Sequence, residues 1–180
     1  MAIQVIKTQS MPDEHGVQVL LFDWMRITPV PWRPREKLAD YAWMNPNGLY
    51  LGRGSVGQRA AYMAKMKRAG FTPGVADVTI ALPVRHMHGA YLELKRGMSV
   101  AAMKRAVSEE QREHLCRMYN AGYFVGVAAG FDQALEAVKG YMSGARSFNL
   151  DAFAEEGEDG FVQPIQTKRK RSTTSKETKA

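Results

Sequence analysis

The sequence predicts an α/β domain in which helices cover a mixed sheet. Three observations predict it. Two apolar runs, Gly74-Val-Ala-Asp-Val-Thr-Ile-Ala-Leu-Pro83 and Tyr91-Leu-Glu-Leu-Lys-Arg-Gly97, are rich in β-branched, aromatic and aliphatic residues and are bounded by Gly and Pro, which marks a pair of strands. Two capping-box patterns, Ser55 with Gln58 and Ser108 with Gln111, open helices on either side of that pair. A further apolar run, Tyr123–Ala129, separates the second of those helices from another segment of helical periodicity. The resulting order is helix, strand, helix, strand, strand, helix, strand, helix, or αβαββαβα.

Taken in order, residues 1–9 carry little signal. Ser10-Met-Pro-Asp13 resembles a helix start, with a Ser cap, an early Pro and an acid three residues on. The helix is expected to run to about Arg26, with Val17, Leu20, Leu21 and Trp24 as its apolar stripe. Glu14 and Gln18 share one face beside that stripe, although a first-turn acid also suits the helix dipole. Pro29, Pro31 and Pro34 rule out a long helix over residues 27–40 and suggest a surface loop. Tyr41–Met44 reads as a short strand ended by the turn Asn45-Pro-Asn-Gly48. The glycine-rich stretch Gly52-Arg-Gly-Ser-Val-Gly57 is not a phosphate loop, because no Gly-Lys-Ser/Thr follows. The helix opened by Ser55 ends near Gly70 and carries Arg59, Lys65, Lys67 and Arg68, which serve equally well as a solvated face or as phosphate contacts. Residues 98–107 have no clear assignment. The helix opened by Ser108 is expected to bury Leu115, Met118 and Cys116 and to end near Gly122. Phe131-Asp132 is expected to cap a last helix running to about Ser143, with Leu135, Val138, Tyr141 and Met142 inward.

The pair of runs at 74–97 holds the chemistry. If residues 81–89 connect a hairpin, Ile80 pairs near Ala90 and Asp77 lies opposite Glu93. Strand side chains alternate between faces, so Glu93 and Lys95 share one face while Leu92 and Leu94 take the other. Two carboxylates and an ammonium then converge within a mostly apolar sheet, which is costly unless something pairs with them. A hard divalent cation would do so. A plainer account stands beside this one: Asp77 ends a strand, and Glu93 and Lys95 form the wet face of a one-sided sheet. His86 and His88 have ligand-like spacing, and His15 and His114 lie on helices. Nothing orders three of the four together, so surface or loop roles are expected. Cys116, inside an apolar helix stripe, is expected in the core.

Composition narrows the class. The single cysteine excludes an internal disulfide and a cysteine zinc cluster, and fits a reducing, cytoplasmic setting. No apolar run approaches the roughly 18 residues of a membrane span, and no signal-peptide core is present at the N-terminus. The net charge is +7, while residues 151–180 hold six basic and six acidic side chains, so the excess lies wholly in residues 1–150. A basic folded part points to a polyanionic partner. From residue 151 the acidic stretch to Asp159, the basic Lys168-Arg-Lys-Arg171 and the Ser, Thr and Lys content predict a disordered charged tail. No internal repeat is present.

These residues resemble the VRR-NUC nucleases, a branch of the PD-(D/E)XK superfamily with a restriction-endonuclease-like fold. The matching pieces are Glu14 and Gln18, Asn45-Pro-Asn-Gly48, Gly74-Val-Ala-Asp77, Glu93-Leu-Lys95 and Ser108-Glu-Glu-Gln111, in the family's order over roughly residues 11–143. The compact form is similar to the stand-alone versions carried by bacteriophages, which would work in the host cytoplasm. There are two departures: Ala76 stands where the family usually has Pro, and the span from Lys95 to Gln111 is longer than in compact members. The resemblance implies residues 1–150 as a nuclease domain and Asp77, Glu93, Lys95, Glu14 and Gln111 as its catalytic residues. It implies Mg2+ or Mn2+ held by Asp77, Glu93 and the Leu94 backbone carbonyl. Glu14 would then act as a ligand of a second ion or as a group supporting the first. Arg53, Arg59, Lys65, Lys67, Arg68 and Arg96 are the expected nucleic-acid contacts. The implied activity is endonucleolytic cleavage of DNA, with four-way junctions cut by a homodimer as the leading target and 5′ flaps as the runner-up. A DNA-binding protein without catalysis is the rival class.

Overall fold

The computed structural model describes residues 12–45 and 55–165. All eight expected elements are present in the expected order, and four features are added to them. The chain runs through α1 (Glu14–Ile27), β1 (Pro29–Val30), β2 (Arg33–Lys37), β3 (Ala42–Met44), α2 (Val56–Arg68), β4 (Val78–Ile80) and β5 (Ala90–Lys95). It continues through α3 (Val100–Ala106), α4 (Glu109–Asn120), β6 (Phe124–Ala129), α5 (Phe131–Ser143), β7 (Ser147–Phe148), β8 (Ala154–Glu156) and β9 (Val162–Pro164). A five-stranded sheet in the order β3-β4-β5-β6-β7 forms the centre. Its first three strands are antiparallel neighbours, and β5, β6 and β7 pair in parallel.

Alternation of side chains sorts the core into two layers. Val78, Ile80, Leu92 and Leu94 point to the face covered by α1 and α5, where Val17, Leu21, Met25, Ala134, Val138 and Tyr141 meet them. Val125 and Val127 point to the other face, against Met103 of α3, Leu115 and Cys116 of α4, and Phe153. Cys116 is buried in this layer, as expected, and that burial pushes its thiol up to about 11. Among the described residues no helix is long and apolar enough to cross a membrane.

Several expectations are corrected. Helix α1 is capped by Asp13, whose carboxylate accepts from the Gly16 N–H at 2.8 Å, and the proposed cap Ser10 lies outside the described residues. Asp caps as well as Ser does, and starting at Asp13 leaves Pro12 ahead of the helix rather than within it. Leu20 is exposed, and Met25 takes the core position. Residues 29–37 form the hairpin β1–β2 instead of a loop, which their prolines permit because both strands belong to a two-stranded ribbon. The unassigned stretch after β5 holds α3, capped by Ser99. The last helix, α5, is capped by Gly130 rather than by Phe131-Asp132, and Ala134 and Ala137 are buried beside Val138 and Tyr141. The disordered tail expected from residue 151 does not begin there. Phe153 is fully buried, β8 pairs with β9, and Asn120 of α4 exchanges two hydrogen bonds with the Val162 backbone. The basic cluster Lys168–Arg171 lies outside the described residues.

Candidate active site

The site is built at the end of β5 where β4 stops short. The ladder runs Val78↔Leu92, Thr79↔Tyr91, Ile80↔Ala90, the register expected from sequence, and its continuation sets Asp77 opposite Glu93. The Asp77 carboxylate accepts from the Leu94 N–H at 2.7 Å. In a strand the N–H and C=O of one residue point the same way, so the Leu94 carbonyl is turned to the edge where Asp77 sits.

Glu93 and Lys95 share a face, as expected, and that face is dry: they are 1% and 6% exposed. The plainer account of a wet sheet face therefore fails. Lys95 Nζ donates to Glu93 Oε1 at 2.7 Å and lies 4.0 Å from Glu14 Oε1. Gln111 Nε2 donates to the same Glu93 oxygen. Gln111 also completes the predicted capping box: its Oε1 accepts from Ser108 N–H at 2.9 Å, and its own N–H reaches Ser108 Oγ at 3.3 Å. The amide has two ends, so the cap and the site contact coexist. The long span before Gln111 is taken up by α3, and Gln111 still reaches Glu93.

Glu93 Oε2 is buried and meets no hydrogen-bond partner among the described residues. Burial, then the charge of Asp77, push the Glu93 pKa up to about 8 against the opposing pull of Lys95. Burial works against the Lys95 ammonium, but Glu93, Glu14 and Asp77 outweigh it and raise its pKa, so it stays charged. A buried carboxyl oxygen of this kind, on a residue set opposite a second carboxylate, belongs to a donor set that fits a hard divalent cation. Among the described residues no three His, Cys, Asp or Glu side chains gather as a metal-binding group, so a cation bound here would draw on a backbone oxygen or water beside the two carboxylates.

Sequence reasoning missed what holds Asp77 in place. Asn45, read as the first residue of a turn, donates from Nδ2 to Ala76 C=O at 2.6 Å and to Thr79 Oγ1 at 2.9 Å, and its backbone N–H reaches Asp77 C=O at 2.8 Å. The signal was there: an Asn at a strand end, in a motif already matched to the resemblance. Gly74, at φ +82°, brings the chain so close to α4 that a Cβ would meet the Glu110 carbonyl carbon at 2.5 Å, so this position requires glycine. That close approach seats the first turn of α4, and hence Gln111, over the Asp77 loop.

The expected nucleic-acid contacts fall into three groups. Arg59, Lys65, Lys67 and Arg68 are exposed on α2, which buries none of its residues. Arg96 is exposed one residue beyond Lys95. Arg53 lies outside the described residues, as do positions 46–48 of the Asn45 motif and 52–54 of the glycine-rich stretch. His15, His86 and His88 are exposed as expected, but His114 is buried edge-on to Tyr91 at 5.3 Å, and burial, with Arg117, lowers its pKa.

No family model matches the chain, and no curated protein matches it in sequence. Among solved structures, a chain titled VRR_NUC domain protein superposes with a TM-score of 0.57 at 23% identity, over 78% of this chain and 96% of that one. The chain therefore shares the restriction-endonuclease-like fold of a VRR_NUC domain protein.

Proposed function

We propose that the protein is a divalent-metal-dependent DNA endonuclease of the VRR-NUC type. The observation that carries this reading is the buried Glu93, with one oxygen held by Lys95 and Gln111 and the other without a partner among the described residues, set opposite Asp77. Asp77, Glu93 and the Leu94 carbonyl would hold Mg2+ or Mn2+. Such an ion supplies a bound water of lowered pKa and neutralises phosphate oxygens. Lys95, kept charged by its acidic neighbours, orients the attacking water and meets the negative charge that grows on the phosphate. Gln111 fixes the Glu93 carboxylate so that its second oxygen remains available. Glu14 balances Lys95 from the helix side. The exposed cations of α2 and Arg96 take up flanking phosphates.

Branched DNA is the substrate this reading favours, with a homodimer suited to the two cuts of a four-way junction. The experiment incubates the protein with labelled linear, flap and four-way DNA, with and without Mg2+ or Mn2+, beside Asp77→Ala and Glu93→Ala. Metal-dependent cutting that both variants abolish, with DNA binding retained, is expected. Binding without cutting under any metal would leave the non-catalytic alternative in its place.

A further inference from the structure

Helix α1 carries a ridge that leads away from the candidate catalytic groups. Glu14, 4.0 Å from Lys95, is followed at intervals of four by Gln18, Phe22 and Arg26, which stand one above another on a single helix face. Together with His15, Val19 and Met44, the last three line a cavity of about 260 Å³. This is just below the roughly 300–1,000 Å³ of sites for drug-sized ligands. Phe22 is half-buried, packed on the core from one side and facing the cavity from the other. Met44 is 53% exposed and Val19 44%. The far wall belongs to β3, whose next residue, Asn45, holds the Asp77 loop. Both walls therefore continue into the candidate catalytic cluster: His15 follows Glu14 directly, and Gln18 stands one helical turn, about 6 Å, from it.

We infer that this cavity takes a single unstacked base of the substrate strand beside the phosphate that is cut, an inference that rests on the nuclease reading. The chemistry of the lining suits a nucleobase better than a lipid or an apolar peptide. Phe22 and Met44 offer surfaces for a π-face. The Gln18 amide matches the paired donor and acceptor on a base edge. Arg26 at the outer end suits the adjoining phosphate. A base can enter only where the strand is unpaired or easily opened, so the cavity selects for flaps, junction arms and single strands over intact duplex.

The test does not depend on turnover. A single 5-iodouracil is placed in turn at each position of an unpaired DNA arm, the complex is irradiated with Ca2+ in place of Mg2+, and the adducts are mapped. One position should give adducts at Phe22, Met44 or His15. An abasic nucleotide at that position should weaken binding on the order of 10–100-fold in the wild type. Met44→Ala, at an exposed position, should remove most of that difference. Adducts confined to other residues, no adducts, or equal binding of normal and abasic DNA would overturn the inference. So would Met44→Lys dissociating a dimer in solution without changing DNA binding, since the surface would then belong to a second copy. Metal-dependent cutting with adducts elsewhere sinks the cavity and spares the nuclease; adducts in the cavity without cutting do the reverse.

Discussion

Of the Asp, Glu, Lys, Arg and His side chains among the described residues, Glu93 is the most deeply buried, and its titration should be visible in the stability of the whole protein. Its pKa is pushed up to about 8, first by burial and then by Asp77, whereas an unfolded Glu titrates near 4.3. The folded protein then binds more protons than the unfolded chain between those values, so stability falls as pH rises through that window. Below about pH 4.5 both states are protonated and the penalty vanishes; above about pH 8 it is complete. Metal-free protein should lose Tm across this range, and Glu93→Gln, which cannot ionise, should flatten the loss. Divalent ions compete with the proton, so the rise in Tm they produce should grow toward pH 8. Thermal melts in EDTA and in Ca2+ measure both effects, and an unchanged slope in Glu93→Gln would assign the titration to another group. Lys95 acts differently. Its loss should fall on the chemical step, so Lys95→Ala should slow single-turnover cleavage on the order of 10²–10³-fold with DNA saturated by enzyme. A variant that cuts at the wild-type rate would make Lys95 a partner of Glu93 for folding only.

At the scale of elements, the site depends on how the end of β3 grips the loop before β4. Asn45→Ala removes the donor shared by Ala76 C=O and Thr79 Oγ1. Stability should drop by about 1 kcal/mol, while Mn2+ affinity, read by calorimetry, should fall on the order of 10–100-fold, as for other residues that orient metal ligands. Equal affinity in the variant would mean that the β4–β5 pairing holds Asp77 unaided. That pairing was readable in advance because Val78, Ile80, Leu92 and Leu94 share a face in one register only, and a slip by one residue would turn them all outward. The capping boxes were equally legible, since Ser-x-x-Gln states its own geometry. Hairpin β1–β2 was not, because Pro29 and Pro34 argue against a strand unless its edge is known to be open. Helix α3 has seven residues and buries only Met103, too little periodicity to read. The pattern around Asn45 spells a turn, and because its partners, Ala76 and Thr79, are more than 30 positions away, only its place in the matched motif marks its second role.

For the whole molecule, the folded region extends further than its charge pattern suggests. Asp151, Glu155, Glu156, Glu158 and Asp159 give this stretch the composition of a solvated tail, yet Phe153 among them is 2% exposed, in one layer with Val125, Val127 and Leu115. A chain shortened to end at Leu150 should lose Phe153 and the Asn120–Val162 clasp. Loss of a buried Phe side chain alone costs about 3–5 kcal/mol, against a total stability of about 5–15 kcal/mol for a typical domain. A chain ending at Ile165 should unfold in urea like the full protein and keep the salt dependence of DNA binding, because the net positive charge lies within residues 1–150. Similar urea midpoints for the two shortened chains would show that the clasp adds nothing to the fold.

The buried Glu93–Lys95 pair also bears on how this lineage would change once released from selection for activity. A carboxyl and an ammonium taken out of water, the carboxyl with one oxygen that meets no partner among the described residues, make a worse core than aliphatic side chains of similar size. The double change Glu93→Leu with Lys95→Met should therefore give an inactive protein as stable as the original or more so, by up to about 1–4 kcal/mol. Either change alone should destabilise, because it leaves the remaining buried polar group without its partner. On the proposed nuclease reading, descendants that lose the activity would be expected to replace both residues together and to keep the fold. An intact Glu-x-Lys at this strand in a sequence relative would then mark continued use of the site, and denaturant midpoints of the single and double variants decide whether that inference is sound.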